Sequence, residues 1–408
     1  LHGGTIRRII VIGQGTAAVA ADATARAFRD ALAAAAVPPP VAVEASAATE
    51  LSGFGLGSDM SDALVVAISQ SGTTTDTNRT VDLVRSRGAA VIAILNRRQS
   101  DLADKADGVL HTSDGRDVEM SVASTKAFYA QVAAGFLLAF AVAAELGADD
   151  ESARTHRRTR LEALRALPAA METVLGRREA IALVARRNVL SRRSWAVVGS
   201  GPNRIAAQEL RIKCSELCYT SIACDVTEDK KHIDLSSEPM VIVCAAGLRG
   251  SNADDVAKEI AIYRAHKAAP VAIVDEGEVR FSAAADIIPV PAVHPDLAFV
   301  LCAMAGHLFG YEAALAIDAT AHPLREARGG IERTLASLAE GADPLEALAP
   351  VLAPHAAAFN ATLATGDYDG ALDAGTAVRL ATVLRYATGL LPLDSYQLEL
   401  RSEEHTSE

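Results

Sequence analysis

The sequence has few cysteines, no surplus of basic residues and no long uninterrupted apolar run. Five cysteines in 408 residues are too few for a disulfide framework. Cys214, Cys218 and Cys224 lie close together, but no His/Cys pair stands at zinc-ligand spacing from them, so they are interpreted as buried structural thiols. The 39 basic and 51 acidic side chains give a net charge of −12, which argues against nucleic-acid binding.

Membrane insertion and secretion are likewise not indicated by the sequence. The closest approach to a membrane span, residues 132–142, is about half the required length, and we expect a buried helix there. No secretion signal is recognisable, so a reducing cytoplasm is expected. Leu1 stands where a Met would begin a chain, and a strand pattern starts at residue 7, which favours a missing upstream segment. Residues 401–408 resemble a translated sequencing adapter and are set aside as an artefact.

The sequence does contain an alternation of short β-branched runs and helical stretches. Half of the residues are hydrophobic and 22% are charged, as in globular proteins, and the length predicts two or three domains. The apolar runs are continuous rather than alternating, which is typical of parallel strands covered by helices on both faces. Strands are predicted at residues 8–12, 63–68, 90–95, 108–111, 195–198, 240–244, 271–274 and 287–290, with helices such as 77–87 and 253–266 between them.

This strand–helix pattern occurs twice along the chain. Gly13-Gln14-Gly15 after the first strand matches Gly199-Ser200-Gly201 after a later strand. We therefore predict two tandem three-layer α/β/α sandwiches with parallel sheets, of the flavodoxin-like kind. The expected division is a first domain over residues 1–150, a helical linker over 151–193, a second domain over 194–330 and a helical C-terminal extension over 331–400. Whether residues 372–391 form a strand or a helix stays open.

The most informative segment is residues 68–77, ISQSGTTTDT, between a buried strand and a helix. Hydroxyl groups and unpaired backbone N–H groups at a helix N-terminus form a phosphate cradle, and Gly72 permits close backbone approach. An ordinary Ser/Thr-rich turn with a helix N-cap explains the same composition. The position at the carboxyl end of a parallel strand, where open α/β sheets bind ligands, favours the phosphate site.

This loop resembles the phosphate-binding loop of sugar isomerase (SIS) domains. Together with residues 122–128, VASTKAF, it resembles more narrowly the glutamine–fructose-6-phosphate aminotransferase family, in the C-terminal isomerase half of that enzyme. The resemblance spans roughly residues 5–330. It implies that loop side chains bind the sugar 6-phosphate and that a second segment lies against the sugar: Ser69, Gln70, Ser71 and Thr74 in the loop, and Val122, Ala123 and Ser124 in the segment.

The turn after the first strand follows the same family pattern in part. Gly15 and Thr16 are kept, which implies substrate contacts from both, whereas Gln14 and Ala17 replace the family's Cys and Ser. These two replacements alter positions that the resemblance assigns to sugar hydroxyl contacts. The phosphate loop itself is unaffected by them.

A second group of charged side chains lies on the helix predicted after residues 199–203. Glu209, Lys213 and Glu216 are spaced i, i+4, i+7 and so share one helix face. From the residues alone, an exposed ladder of ion pairs is the simpler interpretation. The resemblance implies instead that Glu216 is the base that moves a proton between C1 and C2 of the sugar, with Lys213 beside the same centre. A carboxylate suits this step, and a lysine would stabilise the developing negative charge.

His232 follows Glu216 at the spacing of the family's Lys-His pair, formed here by Lys231 and His232. The resemblance implies that this histidine reaches the site from the neighbouring subunit of a homodimer and helps to open the sugar ring. Histidine suits ring opening because it exchanges protons near neutral pH. A plain surface histidine is the alternative, since Ile233 and Asp234 follow where the family has Gly-Pro.

Two parts of the resembled enzyme have no counterpart in this sequence. The catalytic lysine of the family's C-terminal tail is missing; Arg328, after His322-Pro323, cannot form the Schiff base that a lysine could. We expect that the tail was lost where the adapter-like residues begin. The glutaminase half, with its N-terminal cysteine nucleophile, is expected upstream in the same polypeptide, so the chain as given would not hydrolyse glutamine.

The resemblance thus implies an enzyme that makes glucosamine 6-phosphate from fructose 6-phosphate and glutamine-derived ammonia, in amino-sugar and UDP-N-acetylglucosamine biosynthesis. No metal or organic cofactor is implied, because the substrate's own carbonyl acidifies the carbon. Two alternatives stay open. One is a two-domain SIS isomerase/deaminase or deglycase for amino-sugar phosphates, and the other is a non-catalytic sugar-phosphate sensor, which the changes at Gln14, Ala17 and Ile233 would fit.

Overall fold

Two parallel β-sheets organise the chain. The computed structural model describes residues 6–35, 40–114, 119, 123–368 and 370–396. Within these ranges the strands are β1 Arg8–Gly13, β2 Ala42–Ala47, β3 Ala63–Ser69, β4 Ala90–Leu95, β5 Gly108–His111, β6 Trp195–Gly199, β7 Ile222–Asp225, β8 Met240–Cys244, β9 Ala269–Asp275 and β10 Asp286–Val290. The orders are β2-β1-β3-β4-β5 and β7-β6-β8-β9-β10, all pairs being parallel. Both are the flavodoxin-like order, so the predicted fold class is confirmed.

The eight strands predicted from sequence are confirmed with ends within two residues, and two further strands were missed. The missed strands, Ala42–Ala47 and Ile222–Asp225, are the edge strands next to β1 and β6. Their sequences, AVEASA and IACD, are short and rich in small or acidic residues, and their side chains are mostly half-buried or exposed. Such segments lack the continuous apolar run that marks a strand buried on both faces.

Helices cover both faces of each sheet. Within the described residues they are α1 Thr16–Ala33, α2 Ala48–Glu50, α3 Thr75–Arg85, α4 Asp101–Lys105, α5 Lys126–Glu145, α6 Glu151–Gly176, α7 Arg178–Val189, α8 Asn203–Cys218, α9 Lys230–Ile233, α10 Gly250–Ala265, α11 Ala298–Ala336, α12 Pro344–Thr365 and α13 Ala374–Ala387. Alternate side chains of β1 point to opposite layers: Ile9 joins one apolar cluster and Ile10 another. The segment left open by the sequence, 372–391, contains a helix, α13.

The sheets β1–β5 and β6–β10 define two halves of the chain, and both halves contribute to one apolar core. In this core α1 of the first half lies against α8 of the second. Close helix packing at this core depends on glycine. A Cβ on Gly135 of α5 would lie 2.1 Å from Thr24 Oγ1 of α1, and a Cβ on Gly306 of α11 would lie 2.1 Å from Leu210 Cγ of α8. In the same core the N-terminus of α1, which follows β1 directly, lies against the side of α8 that carries Glu209.

Three helical segments are long and apolar enough to span a membrane by length and composition: Lys126–Glu145, Pro295–Ala336 and Pro344–Thr365. The sequence-based expectation that no segment reaches this length was wrong, because it counted only uninterrupted apolar residues. In the first two segments, 67% and 72% of the most apolar window is buried inside the protein, against 22% in the third. The first two therefore serve as core helices, as expected for residues 132–142.

The C-terminal helices α12 and α13 pack on α11 through two small apolar clusters. The ring centroids of Phe359 of α12 and Tyr368 are 5.2 Å apart, with the rings tilted by 44°. The Tyr368 hydroxyl donates to the Thr320 carbonyl oxygen of α11 at 2.8 Å. The backbone N–H of Gly370 donates to the carbonyl oxygen of Leu190 at 2.8 Å. Residues 331–396 are thus attached to the second half of the chain by both apolar packing and hydrogen bonds.

All five cysteines are free thiols, and four of them are buried. Burial raises the pKa of Cys218 to about 12 and that of Cys224 to about 11. Both groups therefore stay protonated at neutral pH, as expected for structural thiols. Within the described residues, no group of His, Cys, Asp and Glu side chains is arranged to hold a metal ion.

Candidate active site

A cavity of about 470 Å³ opens at the carboxyl edge of the first sheet. Its walls are the turn after β1, the loop after β3, the start of α5 and one face of α8. The position between β1 and β3 is where the strand order reverses, and ligands of open α/β sheets bind at such points. Nine of the twelve residues predicted from sequence line this cavity: Gly15, Thr16, Ser69, Gln70, Ser71, Thr74, Ser124, Lys213 and Glu216.

The other three predicted residues are not brought to the cavity wall. Val122 lies outside the described residues. Ala123 is half-buried next to Ser124 but is not part of the lining. His232 lies on α9 beside the second sheet, with a side chain that is 68% exposed and an Nε2 atom 3.9 Å from Glu228 Oε1. Its role therefore stays a prediction.

The loop after β3 is held in shape by hydrogen bonds to its own backbone. Gly72 has φ +68°, a conformation that side chains rarely adopt, and a Cβ there would lie 2.2 Å from Ser100 Oγ. Ser69 Oγ accepts from the Gly72 N–H at 3.0 Å. Asn78 Nδ2 donates to the carbonyl oxygens of Gly72 and Thr74 at 3.0 and 3.1 Å. With these carbonyls turned toward Asn78, the loop is preformed rather than dependent on a ligand for its shape.

The same loop leads into α3 at Thr74, which occupies the N-cap position in extended conformation (φ −60°, ψ 117°). Within the described residues its side chain makes no capping hydrogen bond, so an N-cap does not account for this threonine. The first N–H groups of a helix have no partner inside the helix, and the helix dipole favours an anion beside them. The Thr74 hydroxyl and this helix start can therefore bind an anionic group in the cavity.

Four buried polar atoms in the cavity wall find no hydrogen-bond partner among the described residues: Gln14 Oε1, Thr77 Oγ1, Ser124 Oγ and Gln131 Oε1. Such atoms cost about 1–3 kcal/mol each when left unsatisfied, so a concentration of them around one cavity indicates a polar ligand. Thr77 and Gln131 were missed from sequence. Gln131 could have been noticed in the sequence, because it is the one amide in the otherwise apolar face of α5.

Glu119 also lines the cavity and was missed as a site residue. Its carboxylate accepts from the backbone N–H groups of Thr125 at 3.1 Å and Ala127 at 3.0 Å. It thereby caps the N-terminus of α5 from outside the helix. This contact fixes the start of α5, and with it the side chains of Ser124 and Gln131 in the wall.

The charged residues of α8 form a buried centre at the base of the cavity. The exposed fraction is 1% for the Lys213 side chain, 0% for Glu209 and 42% for Glu216. Lys213 Nζ lies 3.0 Å from Glu216 Oε2 and 3.8 Å from Glu209 Oε1. The interpretation as an exposed ion-pair ladder is therefore wrong, because two of the three groups are enclosed between the halves of the chain.

Glu209 is bound by side chains from both halves. Its Oε1 accepts from Thr16 Oγ1 of α1 at 3.3 Å and lies 3.2 Å from His307 Nε2 of α11. On the other side of the ring, His307 Nδ1 is 2.5 Å from the Tyr129 hydroxyl of α5. Burial, with the negative charges of Glu209 and Glu119, raises the pKa of Tyr129 well above its usual value. Sequence reasoning missed Tyr129 and His307 because they are 178 positions apart.

A second cavity of about 320 Å³ occupies the equivalent place beside the second sheet. It is lined by the turn after β6 and by three carboxylates, Glu228, Asp255 and Glu259. Lys231 pairs with two of them, at 2.8 Å to Glu228 and 2.6 Å to Glu259. The three carboxylates outnumber this one lysine, so the net charge beside the cavity is negative and repels a phosphate group. The two cavities therefore differ in the ligands they favour, although the two halves share a fold.

Known proteins resemble this chain in sequence and in fold. Residues 5–141 match the SIS domain family. The glutamine–fructose-6-phosphate aminotransferase (isomerizing) of Corynebacterium efficiens is 33% identical over 237 residues, which is 56% of this chain and 37% of that one. Its Thermus thermophilus counterpart is 32% identical over 255 residues, 62% of this chain and 41% of the other. The chain thus spans about two fifths of the length of these curated relatives.

Solved structures show the same fold. The C-terminal domain of glucosamine-fructose-6-phosphate aminotransferase from Francisella tularensis superposes with a TM-score of 0.68 at 21% identity, covering 77% of this chain and 86% of that one. A glucosamine-6-phosphate deaminase from Thermotoga maritima gives 0.57 at 18% identity, with 76% and 86% covered. At these identities the structural likeness shows the fold alone. With the curated relatives, it confirms the resemblance drawn from residues 68–77 and 122–128.

Proposed function

We propose that this chain is the isomerase half of a glutamine–fructose-6-phosphate aminotransferase, which makes glucosamine 6-phosphate from fructose 6-phosphate and glutamine-derived ammonia. The observation that carries the proposal is a single cavity lined both by the hydroxyl-rich loop before α3 and by the Lys213–Glu216 pair. An anion site and a carboxylate base in one cavity are the two elements that isomerisation of a sugar phosphate needs. The curated relatives of that name support the choice of substrate.

In this proposal the 6-phosphate is bound at the start of α3. The hydroxyls of Ser71 and Thr74 and the first N–H groups of the helix donate to its oxygens, and Gly72, with φ +68°, shapes the loop that presents them. Hydrogen bonds to a charged group contribute about 1.5–3 kcal/mol each, so a few of them account for strong preference for the phosphorylated sugar. The sugar hydroxyls then lie near the unsatisfied oxygens of Gln14 and Gln131.

Glu216 is the proposed base. After ammonia condenses with the C2 carbonyl and water leaves, the Glu216 carboxylate takes a proton from C1 and returns it to C2. The proton of the C1 hydroxyl passes to the imine nitrogen, which completes the conversion of the ketose imine to the amino aldose. The Lys213 ammonium, 3.0 Å from Glu216, stabilises the negative charge that develops on the substrate during this transfer. Its side chain is 1% exposed, which strengthens that interaction because little water screens it.

The remaining parts of the proposal concern assembly. His232 is exposed and lies away from the cavity of its own chain, so ring opening by His232 requires a second copy in a homodimer. The glutaminase half would precede this chain in the same polypeptide, and the enzyme would act in the cytoplasm. The domain boundaries proposed from sequence, 1–150 and 194–330, each contain one complete sheet.

A single-turnover experiment tests the proposal. Protein in excess is mixed with fructose 6-phosphate labelled with ¹³C at C2, with and without ammonium, and the products are followed by NMR. We expect ammonium-dependent glucosamine 6-phosphate, a loss of about 10²–10⁴-fold in rate in Glu216→Gln, and an unchanged rate in Glu228→Gln, a matched change in the second cavity. Binding of the sugar phosphate with no conversion by the unmodified chain would contradict the enzymatic proposal and favour a sensor.

The second candidate is a sugar-phosphate isomerase that does not use glutamine. The observation that favours it is that the hydroxyl-rich loop and the Lys213–Glu216 pair in one cavity suffice for a proton transfer between C1 and C2 without an added amino group. Glucose 6-phosphate formed without ammonium, and no aminated product with it, would favour this candidate. Glu216 would carry the proton in both cases.

A further inference from the structure

A line of buried polar groups lies behind the proposed base and crosses from one half of the chain to the other. It starts at the Tyr129 hydroxyl of α5, passes through the His307 imidazole of α11 and ends at the Glu209 carboxylate of α8, with separations of 2.5 and 3.2 Å. The His307 side chain is 7% exposed and that of Glu209 is 0% exposed. The proposed chemistry uses neither Tyr129 nor His307.

The surroundings of His307 determine which ring nitrogen carries the proton. The Glu209 carboxylate can only accept, so the contact of 3.2 Å to its Oε1 requires a hydrogen on His307 Nε2. Burial raises the pKa of Tyr129, and its protonated hydroxyl can then donate a hydrogen bond to Nδ1 on the other side of the ring. The charged and titratable groups that face this line are Glu209 and Lys213 on α8 and Glu119 at the start of α5, which acts on Tyr129.

The hydrogen bonds to Glu209 determine which carboxylate the Lys213 ammonium contacts. Glu209 Oε1 receives hydrogen bonds from His307 and from Thr16, and Lys213 Nζ stays 3.8 Å away from it, beyond hydrogen-bonding distance. The same ammonium lies 3.0 Å from Glu216. Without the His307 donor, a buried carboxylate would keep only one hydroxyl partner, and the nearest cation to satisfy it is Lys213.

We propose that His307, oriented by Tyr129, is a positioning residue that occupies Oε1 of Glu209, the carboxylate oxygen that Lys213 would otherwise reach, and so leaves the Lys213 ammonium on the base Glu216. This proposal rests on the proposed function for its catalytic consequence, although the placement of the ammonium does not depend on any substrate. Loss of the His307 hydrogen bond moves Lys213 toward Glu209. The substrate then loses a neighbouring positive charge that stabilises its developing negative charge.

The kinetic test compares His307→Leu, which removes the donor, with His307→Gln, whose side-chain amide can donate from the position of Nε2. We expect kcat for sugar-phosphate isomerisation to fall about tenfold or more in the leucine variant, with KM unchanged, since the phosphate loop is not altered. The glutamine variant recovers most of this loss. Equal loss of kcat in the two variants, or a rise in KM that accompanies the loss, would overturn the proposal.

Tyr129→Phe provides a second variant that should fold in either case. Without the tyrosine hydroxyl, His307 is no longer held in one tautomer. We therefore expect the ¹⁵N signal of Nε2 to change from a single protonated form to a mixture of forms. We expect kcat to fall less than in the leucine variant. Tyr311→Phe on the same helix α11, where the ring is 45% exposed, and His266→Gln at an exposed site are matched controls with no expected effect. An unchanged His307 signal in Tyr129→Phe would contradict the assigned tautomer.

A measurement without substrate separates this proposal from the proposed function. The coupling free energy between Lys213 and Glu216 is obtained from the stabilities of Lys213→Met, Glu216→Gln and their combination, first with His307 present and then in the His307→Gln and His307→Leu backgrounds. We expect the coupling to be at least halved with leucine and retained with glutamine. An inactive chain that shows this pattern would refute the proposed function alone, whereas equal coupling in all three backgrounds would refute the role of His307 alone.

Discussion

The buried charge of Lys213 gives the most direct energetic prediction. Methionine has almost the same length as lysine and no charge, so Lys213→Met removes the ammonium and keeps the packing. The change leaves Glu209, whose side chain is fully buried, with two hydrogen-bond donors and without the ammonium that lies 3.8 Å from it. Glu209 Oε2 already lacks a hydrogen-bond partner among the described residues. A charge left in this position is expected to destabilise the folded state strongly.

The magnitude follows from the geometry. At 3.8 Å and an effective dielectric constant of about 20, the attraction between Lys213 and Glu209 is about 4 kcal/mol. Removing one partner of a buried pair costs about 3–5 kcal/mol, which we expect for Lys213→Met. Glu209→Gln should cost less, about 1–2 kcal/mol, because the amide oxygen still accepts from Thr16 and Lys213 keeps its contact with Glu216. The double substitution should cost clearly less than the sum of the two.

The assay is urea unfolding followed by circular dichroism, with the free energy of unfolding compared across the three variants. Lys105→Met serves as the control, because Lys105 also pairs with a carboxylate, Asp82 at 2.7 Å, but at the surface. Such a pair contributes at most about 1 kcal/mol. The reasoning is refuted if Lys213→Met destabilises no more than this control, or if the effects of Lys213→Met and Glu209→Gln simply add.

Three further predictions concern the loop, the cavity wall and alkaline pH. Gly72→Ala places a Cβ in a positive-φ position against Ser100, so we expect the free energy of unfolding to fall by about 1–2 kcal/mol. Calorimetry should show at least tenfold weaker binding of fructose 6-phosphate. Unchanged binding would contradict a preformed phosphate loop. Thr77→Val removes a buried hydroxyl that has no hydrogen-bond partner among the described residues. Stability in urea should therefore be equal or higher, while the affinity for the sugar phosphate falls. A loss of stability with unchanged affinity would show that the hydroxyl stabilises the fold instead. Burial raises the pKa of Cys218 to about 12 and that of Cys224 to about 11, so these thiols ionise more readily in the unfolded chain. The urea concentration at the unfolding midpoint should therefore fall as pH rises from about 9 to 11. A constant midpoint over that range would contradict the burial of the two thiols.

Local patterns were readable from the sequence alone. The buried strands were found because each is a continuous apolar run, and the loop 68–77 was found because its hydroxyls, its glycine and its place after β3 are adjacent in sequence. The two edge strands were missed because small residues that are only half covered carry no such run. The nature of the segment containing α13 was not decided, since its apolar residues fit either period.

Contacts between distant parts of the chain could not be read from the sequence. The i, i+4, i+7 spacing of Glu209, Lys213 and Glu216 fits an exposed helix face as well as a buried one, and only the packing of α8 against α1 and α11 shows which applies. Tyr129 and His307 meet because α5 and α11 converge on the same core, which no local pattern encodes. The role of His232 stays a prediction because it requires a second copy of the chain.

The central claim is that Glu216 exchanges a proton with a sugar phosphate bound in the cavity of the first sheet. The most direct test is incubation of the chain with fructose 6-phosphate in D₂O, followed by mass spectrometry and NMR of the recovered sugar. We predict deuterium at C1 of recovered fructose 6-phosphate, or at C2 of the aldose product, its absence in Glu216→Gln, and no labelling of unphosphorylated fructose. Labelling that is equal in the unmodified chain and Glu216→Gln, or none in either despite measured binding, would contradict the claim.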